Sequence, residues 1–185
     1  MKKDSRFLII KILIEFDKSN KKLQVIRNDY FLKYNLESNT KARILAFTND
    51  IIRLKGRLDF LISIISKREI KIINYNILSI FRLSFYEILY CDNIPEYATV
   101  SSAVNLTKIM LSKKASGFTN FILRKLIEDK NIDNNFFNKY KTHYEWNSFP
   151  IWIQKKWEKE YGKENFIRLV NFFNKKQNIY VRLNT

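Results

Sequence analysis

Basic side chains occur at two places in the sequence where they could bind phosphate groups. One triplet lies within residues 53–57, on the polar side of an apolar helical pattern, and another lies within the first six residues. Cations neutralise phosphates and release counterions, which gives a salt-sensitive affinity that depends little on base sequence. An ordinary solvated helix face is the alternative for each of them. The predicted RNA-facing residues are Lys2, Lys3, Arg6, Arg53, Lys55 and Arg57.

The residue types that usually carry catalysis are few and scattered. Cys91 follows the apolar run ILY, which favours a small residue packed near the edge of the core over a nucleophile. His143 has no cysteine or second histidine nearby. Gly56, Gly117 and Gly162 stand in separate segments and cannot form a cofactor-binding loop. We therefore predict no catalytic residue, no metal site and no cofactor site in this chain.

Composition predicts an all-α fold with a polyanionic partner. The chain has 185 residues, 46% of them apolar, which suits one domain or one domain with an appendage. The chain has only three glycines and two prolines, which is too few turn-forming residues for a fold with many tight hairpins. The net charge of +16, from 34 basic and 18 acidic residues, favours a nucleic acid. The alternative is a helical scaffold whose lysines reflect an AT-rich genome.

The single cysteine and the hydropathy pattern predict the compartment. One cysteine excludes an internal disulfide. Lys11 and Glu15 interrupt the apolar run near the N-terminus, and no small-residue cleavage site follows it. No apolar stretch is long enough to cross a bilayer. We predict a cytoplasmic protein without a membrane partner.

Apolar spacing divides the chain into three regions. Residues 1–130 form a predicted helical bundle, with helices over 4–17, 20–34, 40–66 and 72–90 and a helix pair after Pro95. The asparagine-rich residues 131–147 are a predicted linker with at most one short helix. In residues 148–185, Pro150 begins a helix, Gly162 ends it, and another follows to about residue 174. Gly56 lies inside the longest predicted helix, where it indicates a tight crossing or a break.

Four segments resemble one known family. They are NDIIRLKGRLD (49–59), ILSIFRLSFYEILYCDNIP (77–95), IPEYATVSSAV (94–104) and GFTNFILR (117–124). In this order they resemble the NusB-like helical domain, which occurs as the antitermination factor NusB and as the N-terminal part of RsmB-type 16S rRNA cytosine-C5 methyltransferases. The resemblance implies a NusB-like bundle and RNA binding by basic residues near the N-terminus.

The resemblance also assigns structural positions. It places Arg82, Glu87, Pro95, Asn120 and Arg124 at family motif positions. For the two arginines and Asn120 we predict internal hydrogen bonds and ion pairs, with Glu87 as a candidate carboxylate for the arginines. A base contact is the second interpretation for Asn120 and for both arginines.

The C-terminal region distinguishes two family members. SFPIWIQKKWEKEYG (148–162) and YVRLN (180–184) resemble the segment through which the methyltransferases continue into their catalytic part. The first hypothesis is therefore the rRNA-binding N-terminal domain of such an enzyme, whose catalytic domain would bind S-adenosylmethionine. The second is a free-standing antitermination factor that binds leader RNA with a ribosomal protein. Under both, RNA is the main partner, and small-subunit rRNA is the first choice.

Overall fold

The computed structural model describes residues 4–132, 136 and 138–176 of the chain. Secondary structure in these residues is helical, without a strand. The helices are α1 (Ser5–Lys18), α2 (Leu23–Tyr34), α3 (Ser38–Arg53), α4 (Lys55–Ser66), α5 (Tyr75–Tyr90), α6 (Glu96–Met110), α7 (Lys113–Ile132) and α8 (Ile151–Asn174). Short 3₁₀ turns cover Ile70–Ile72, Asn138–Tyr140 and Tyr144–Asn147. The predicted all-α bundle is confirmed.

The central helix is α5, which packs against α1, α4, α6 and α7. Its residues from Leu78 to Ile88 are all buried. Because a helix buried on every side leaves no route to water, its polar side chains need partners inside the protein. Arg82 and Glu87 are therefore fixed by the packing of α5 as well as by their own chemistry.

The predicted single helix over 40–66 is wrong, because the structure breaks it at Leu54. That residue has φ −96° and ψ 11°, outside the helical range, so α3 ends before it and α4 begins after it. The apolar spacing continues through the break, with Ile51, Leu54 and Leu58 all buried. The hydrophobic pattern alone could not show the change of direction.

Gly56 marks a tight crossing, two residues after this break. A Cβ atom at this position would lie 2.7 Å from the Cα of Ser148 and 3.4 Å from the carbonyl oxygen of Glu145. The Oγ of Ser148 also accepts a hydrogen bond of 2.9 Å from the backbone N–H of Arg57. The segment that precedes α8 thus packs directly against the first turn of α4.

The segment predicted as a linker is packed where the structure describes it. Phe136 and Trp146 are buried in the main core, 3% and 6% exposed. The Tyr140 ring stacks on Trp146, with centroids 6.5 Å apart. Residues 131–147 therefore join the C-terminal helix to the bundle through core contacts in their described part.

Helix α8 begins after Pro150, as the sequence predicts, and it is kinked at Gly162. This glycine has φ +75° and ψ 161°, a conformation that is essentially restricted to glycine. The two halves are held together by aromatic rings: Trp157 stacks on Phe173 at 6.0 Å, and Phe149 packs edge-on against both. The kink turns the second half of α8 back toward the bundle. The predicted strand over 180–184 lies outside the described residues.

Candidate nucleic-acid interface

The N-terminal basic residues could be located only in part. Lys2 and Lys3 lie outside the described residues, whereas Arg6 lies in the first turn of α1. The Nε of Arg6 donates to both carboxylate oxygens of Glu87, at 2.9 and 3.2 Å. The Arg6 side chain is 22% exposed, and Glu87 is 1% exposed. Arg6 therefore neutralises a buried carboxylate and shows only part of its side chain to solvent.

Glu87 has a full set of partners around it. Besides Arg6, it accepts a hydrogen bond of 2.8 Å from the Oγ1 of Thr99, and Arg43 lies 3.7 Å away. Thr99 belongs to the first turns of α6, which begins directly after Pro95. The carboxylate thus ties α1, α3 and α6 to the central helix. A buried charge is tolerated only when it is paired and hydrogen-bonded in this way.

Arg53 connects the core to the end of α8. Its Nη2 lies 2.7 Å from Asp50, and its Nη1 donates to the backbone oxygen of Asn174. Asp50 also accepts a bond of 2.6 Å from the Tyr86 hydroxyl. Burial and this bond raise the pKa of Tyr86 above its ordinary value, so the phenol remains a donor. In the described structure the Arg53 guanidinium bonds within the chain. Contact between Arg53 and RNA stays a prediction.

Lys55 and Arg57 also bond within the chain. The Nζ of Lys55 lies 3.2 Å from Asp59 and 3.9 Å from Asp17. Arg57 donates from Nε to the backbone oxygen of Trp146 at 2.9 Å, and its guanidinium lies 4.2 Å from the centroid of the Trp146 ring. RNA contact by these two residues likewise stays a prediction. Their observed contacts hold α4 against the C-terminal segment.

Arg82 lies at the centre of the bundle and is 1% exposed. It donates to Asp59 at 2.6 and 2.8 Å, and its Nη1 bonds to Asp17. The carboxylates around Arg82 are thus Asp17 and Asp59, while Glu87 pairs with Arg6. The five-residue separation of Arg82 and Glu87 along α5 points the two side chains in different directions.

Asn120 is half-buried and Arg124 is exposed, and the structural role predicted for them stays a prediction. Arg124 is exposed and donates to the Oδ1 of Asn120 at 3.2 Å, across one turn of α7. The reason is the helical period: Thr119 and Leu123 are fully buried, so their neighbours at 120 and 124 lie at the rim. Both rim residues line a shallow groove between α6 and α7.

Cys91 follows α5 and is half-buried. Burial first, and then the charge of Glu87, raise the pKa of Cys91 to about 11 from 9.0. We expect iodoacetamide at pH 8 to alkylate the native thiol roughly a hundredfold more slowly than the urea-unfolded thiol, because the thiolate is the nucleophile. Mass spectrometry of quenched time points measures both rates. Equal rates would contradict the depressed reactivity.

Lysines that the sequence analysis did not select line the space beside α8. Lys141 follows the turn Asn138–Tyr140, and Lys163 follows the kink in α8. Asn171 lies two turns further along the same helix face as Lys163. The sequence signal for this face was a set of residues at helical spacing after Gly162, namely Lys163, Phe166, Ile167 and Asn171. The direction of that face is set by the kink, which sequence spacing does not specify.

These contacts define an all-helical bundle with a C-terminal helix docked against it. The chain belongs to the NusB family, whose model matches residues 3–128. No helix within the described ranges is long and apolar enough to span a membrane.

Similar proteins fall into two groups. The probable ribosomal RNA small subunit methyltransferase B of Synechocystis sp. is 28% identical over 135 residues, covering 72% of this chain and 30% of that protein. The corresponding protein of Bacillus subtilis is 22% identical over 169 residues, covering 89% of this chain and 37% of that protein. The transcription antitermination protein NusB of Acetivibrio thermocellus is 28% identical over 129 residues, covering 68% of this chain and 88% of that protein. The chain thus spans about a third of the length of the methyltransferase relatives.

A solved structure shares the fold. A chain in the crystal structure of a plectonemic RNA supercoil superimposes with a TM-score of 0.61 and 16% identity, over 75% of this chain and 94% of the other. At this identity the likeness concerns the architecture alone.

Proposed function

We propose that this chain is the RNA-binding N-terminal domain of a 16S rRNA cytosine-C5 methyltransferase. In this role it grips a segment of small-subunit rRNA and presents it to a catalytic domain that binds S-adenosylmethionine. The observation that carries the proposal is that the similarity to a methyltransferase continues beyond the match to the NusB family. The similarity to the Bacillus subtilis methyltransferase covers 89% of this chain, well beyond the 126-residue span of the NusB match at residues 3–128.

The bonds between bundle and extension support the same proposal. Arg53 bonds to Asn174 at the end of α8, Arg57 bonds to Trp146 before its start, and Ser148 lies against Gly56. A domain that must position RNA for chemistry elsewhere benefits from a rigid attachment, because small displacements of a substrate cost much of the rate. The contacts give α8 a fixed direction relative to the bundle.

The second candidate is a free-standing antitermination factor that binds leader RNA together with a ribosomal protein. The observation in its favour is that the similarity to the Acetivibrio thermocellus protein covers 88% of that protein and 68% of this chain. The NusB fold by itself serves both candidates equally well.

A filter-binding titration of the whole chain separates the two candidates. We expect tighter binding to a 16S rRNA hairpin than to an antitermination leader RNA of equal length. With about five phosphates neutralised, affinity should fall roughly one-hundredfold to five-hundredfold between about 50 and 200 mM salt. The inverse preference would support the antitermination factor. Salt-independent or undetectable binding to both RNAs would refute both functions.

A further inference from the structure

A cleft of about 750 Å³ lies between the bundle and the second half of α8. One wall comes from the 3₁₀ turns at 138–140 and 144–147, and the other comes from α8 after its kink at Gly162. The volume is within the range of small-ligand sites. The cleft exists because the kink folds the second half of the helix back over Trp146.

Two unpaired cations enter this cleft from different elements. Lys141 and Lys163 are exposed, and neither forms an ion pair with any residue in the described ranges. The carboxylate among the lining residues belongs to Glu158, and it accepts a hydrogen bond of 2.7 Å from the Tyr144 hydroxyl. With Arg57 at the inner end, the lining carries more positive than negative charge. The field in the cleft therefore favours an anionic ligand.

The rest of the lining suits a flat, partly apolar ligand. Phe166 and Trp146 are 5% and 6% exposed and form an apolar floor. Asn171 is exposed at the edge, and its amide has both a donor and an acceptor to offer. Phosphate, an apolar face and hydrogen-bonding edges occur together in a nucleotide whose base is unstacked.

We propose that this cleft binds an unpaired nucleotide of single-stranded RNA, with Lys141 and Lys163 on its phosphates and Asn171 on the base edge. The proposal rests on the RNA-binding function proposed above and adds a site to it. An acidic peptide would also satisfy the two lysines. The apolar floor and the free amide at the edge favour the nucleotide.

Matched charge removals in the whole chain test this site. The variant Lys141→Ala/Lys163→Ala is compared with Lys155→Ala/Lys159→Ala, which removes two exposed lysines of α8 that do not line the cleft. The probe is a fluorescein-labelled single-stranded RNA of mixed sequence, eight nucleotides long, titrated at several salt concentrations. Each single-stranded phosphate contact contributes about 0.7 to the slope of log affinity against log salt.

The expected result is a loss of about tenfold or more in affinity for the cleft variant, with the salt slope lowered by about 1.4. The control variant should lose less than about twofold and keep the slope. Asn171→Ala should lower affinity several-fold without changing the slope, because it removes no charge. With 4-thiouridine in the probe, photo-crosslinks should map to peptides within 138–171.

The failures can be told apart. If the wild-type chain binds the rRNA hairpin but the cleft and control variants lose equal affinity, the cleft assignment is wrong and the proposed function stands. If the wild type binds neither RNA, both fail. Competition by poly-glutamate as effective as that by RNA of equal charge would overturn the nucleotide assignment in favour of an acidic peptide.

Discussion

Replacing Arg82 with methionine is expected to lower the free energy of unfolding by about 3–5 kcal/mol, which is the cost of removing one partner from a buried ion pair. Arg82 is 1% exposed and is bonded to both Asp17 and Asp59. Methionine fills much of the same space but leaves the two carboxylates close together without their main counterion. Lys55 stays within 4 Å of both and offsets part of the loss. Urea titration followed by circular dichroism measures the difference.

Two further variants isolate the cause. Arg82→Lys keeps the charge but lacks the planar fork that reaches both aspartates, so its stability should fall between wild type and methionine. Arg124→Met removes an exposed arginine whose bond is to Asn120, and its effect should stay within about 0.5 kcal/mol. A loss below about 1 kcal/mol for Arg82→Met would show that the triad contributes little net stability.

The fold was predictable because its signals are local. Helical spacing placed α1, α2, α5 and α6, and Pro150 and Gly162 marked the beginning and the kink of α8. The family motifs, taken in their order along the chain, identified the type of bundle. Gly56 indicated a tight crossing or a break, but the position of the break at Leu54 was not predicted, because the apolar period continues through it.

The partners of the charged residues were not predictable in the same way. Arg6 and Glu87 are 81 residues apart in sequence, and Arg53 and Asn174 are 121 apart. Such pairs form only where two helices pack against each other. The spacing of residues along one helix does not show which other helix it packs against or at what angle. A basic triplet on a helix therefore looks the same in sequence whether it faces RNA or holds another segment of its own chain.

The two lysines of the cleft beside α8 could not be paired from the sequence either. Lys141 stands in an asparagine-rich segment, whereas Lys163 follows an isolated glycine in another segment. The glycine conformation at 162 brings them to one cavity. Sites built from two separated segments become visible only after the chain is folded.

The second large effect on stability is expected where the segment before α8 packs against α4. Gly56→Val is expected to destabilise the protein by about 1–3 kcal/mol, the usual cost of forcing extra carbons into a packed contact. Even a single Cβ at this position would lie 2.7 Å from the Cα of Ser148, and backbone cannot rotate aside as a flexible side chain can. The 144–148 segment must move, so the contacts of Arg57 with Trp146 should be lost.

Three measurements follow the displaced segment in Gly56→Val. Urea titration should show the loss of stability, and tryptophan emission should shift to the red, since Trp146 is 6% exposed in the native protein. Affinity for single-stranded RNA should fall as far as in the Lys141→Ala/Lys163→Ala variant, because the cleft loses one wall. The matched control is Gly117→Ala in α7, where a Cβ would meet no atom within 4 Å. That variant should gain about 0.5–1 kcal/mol from helix propensity and bind RNA normally. A Gly56→Val protein with unchanged emission and RNA affinity would mean that α4 does not hold the extension.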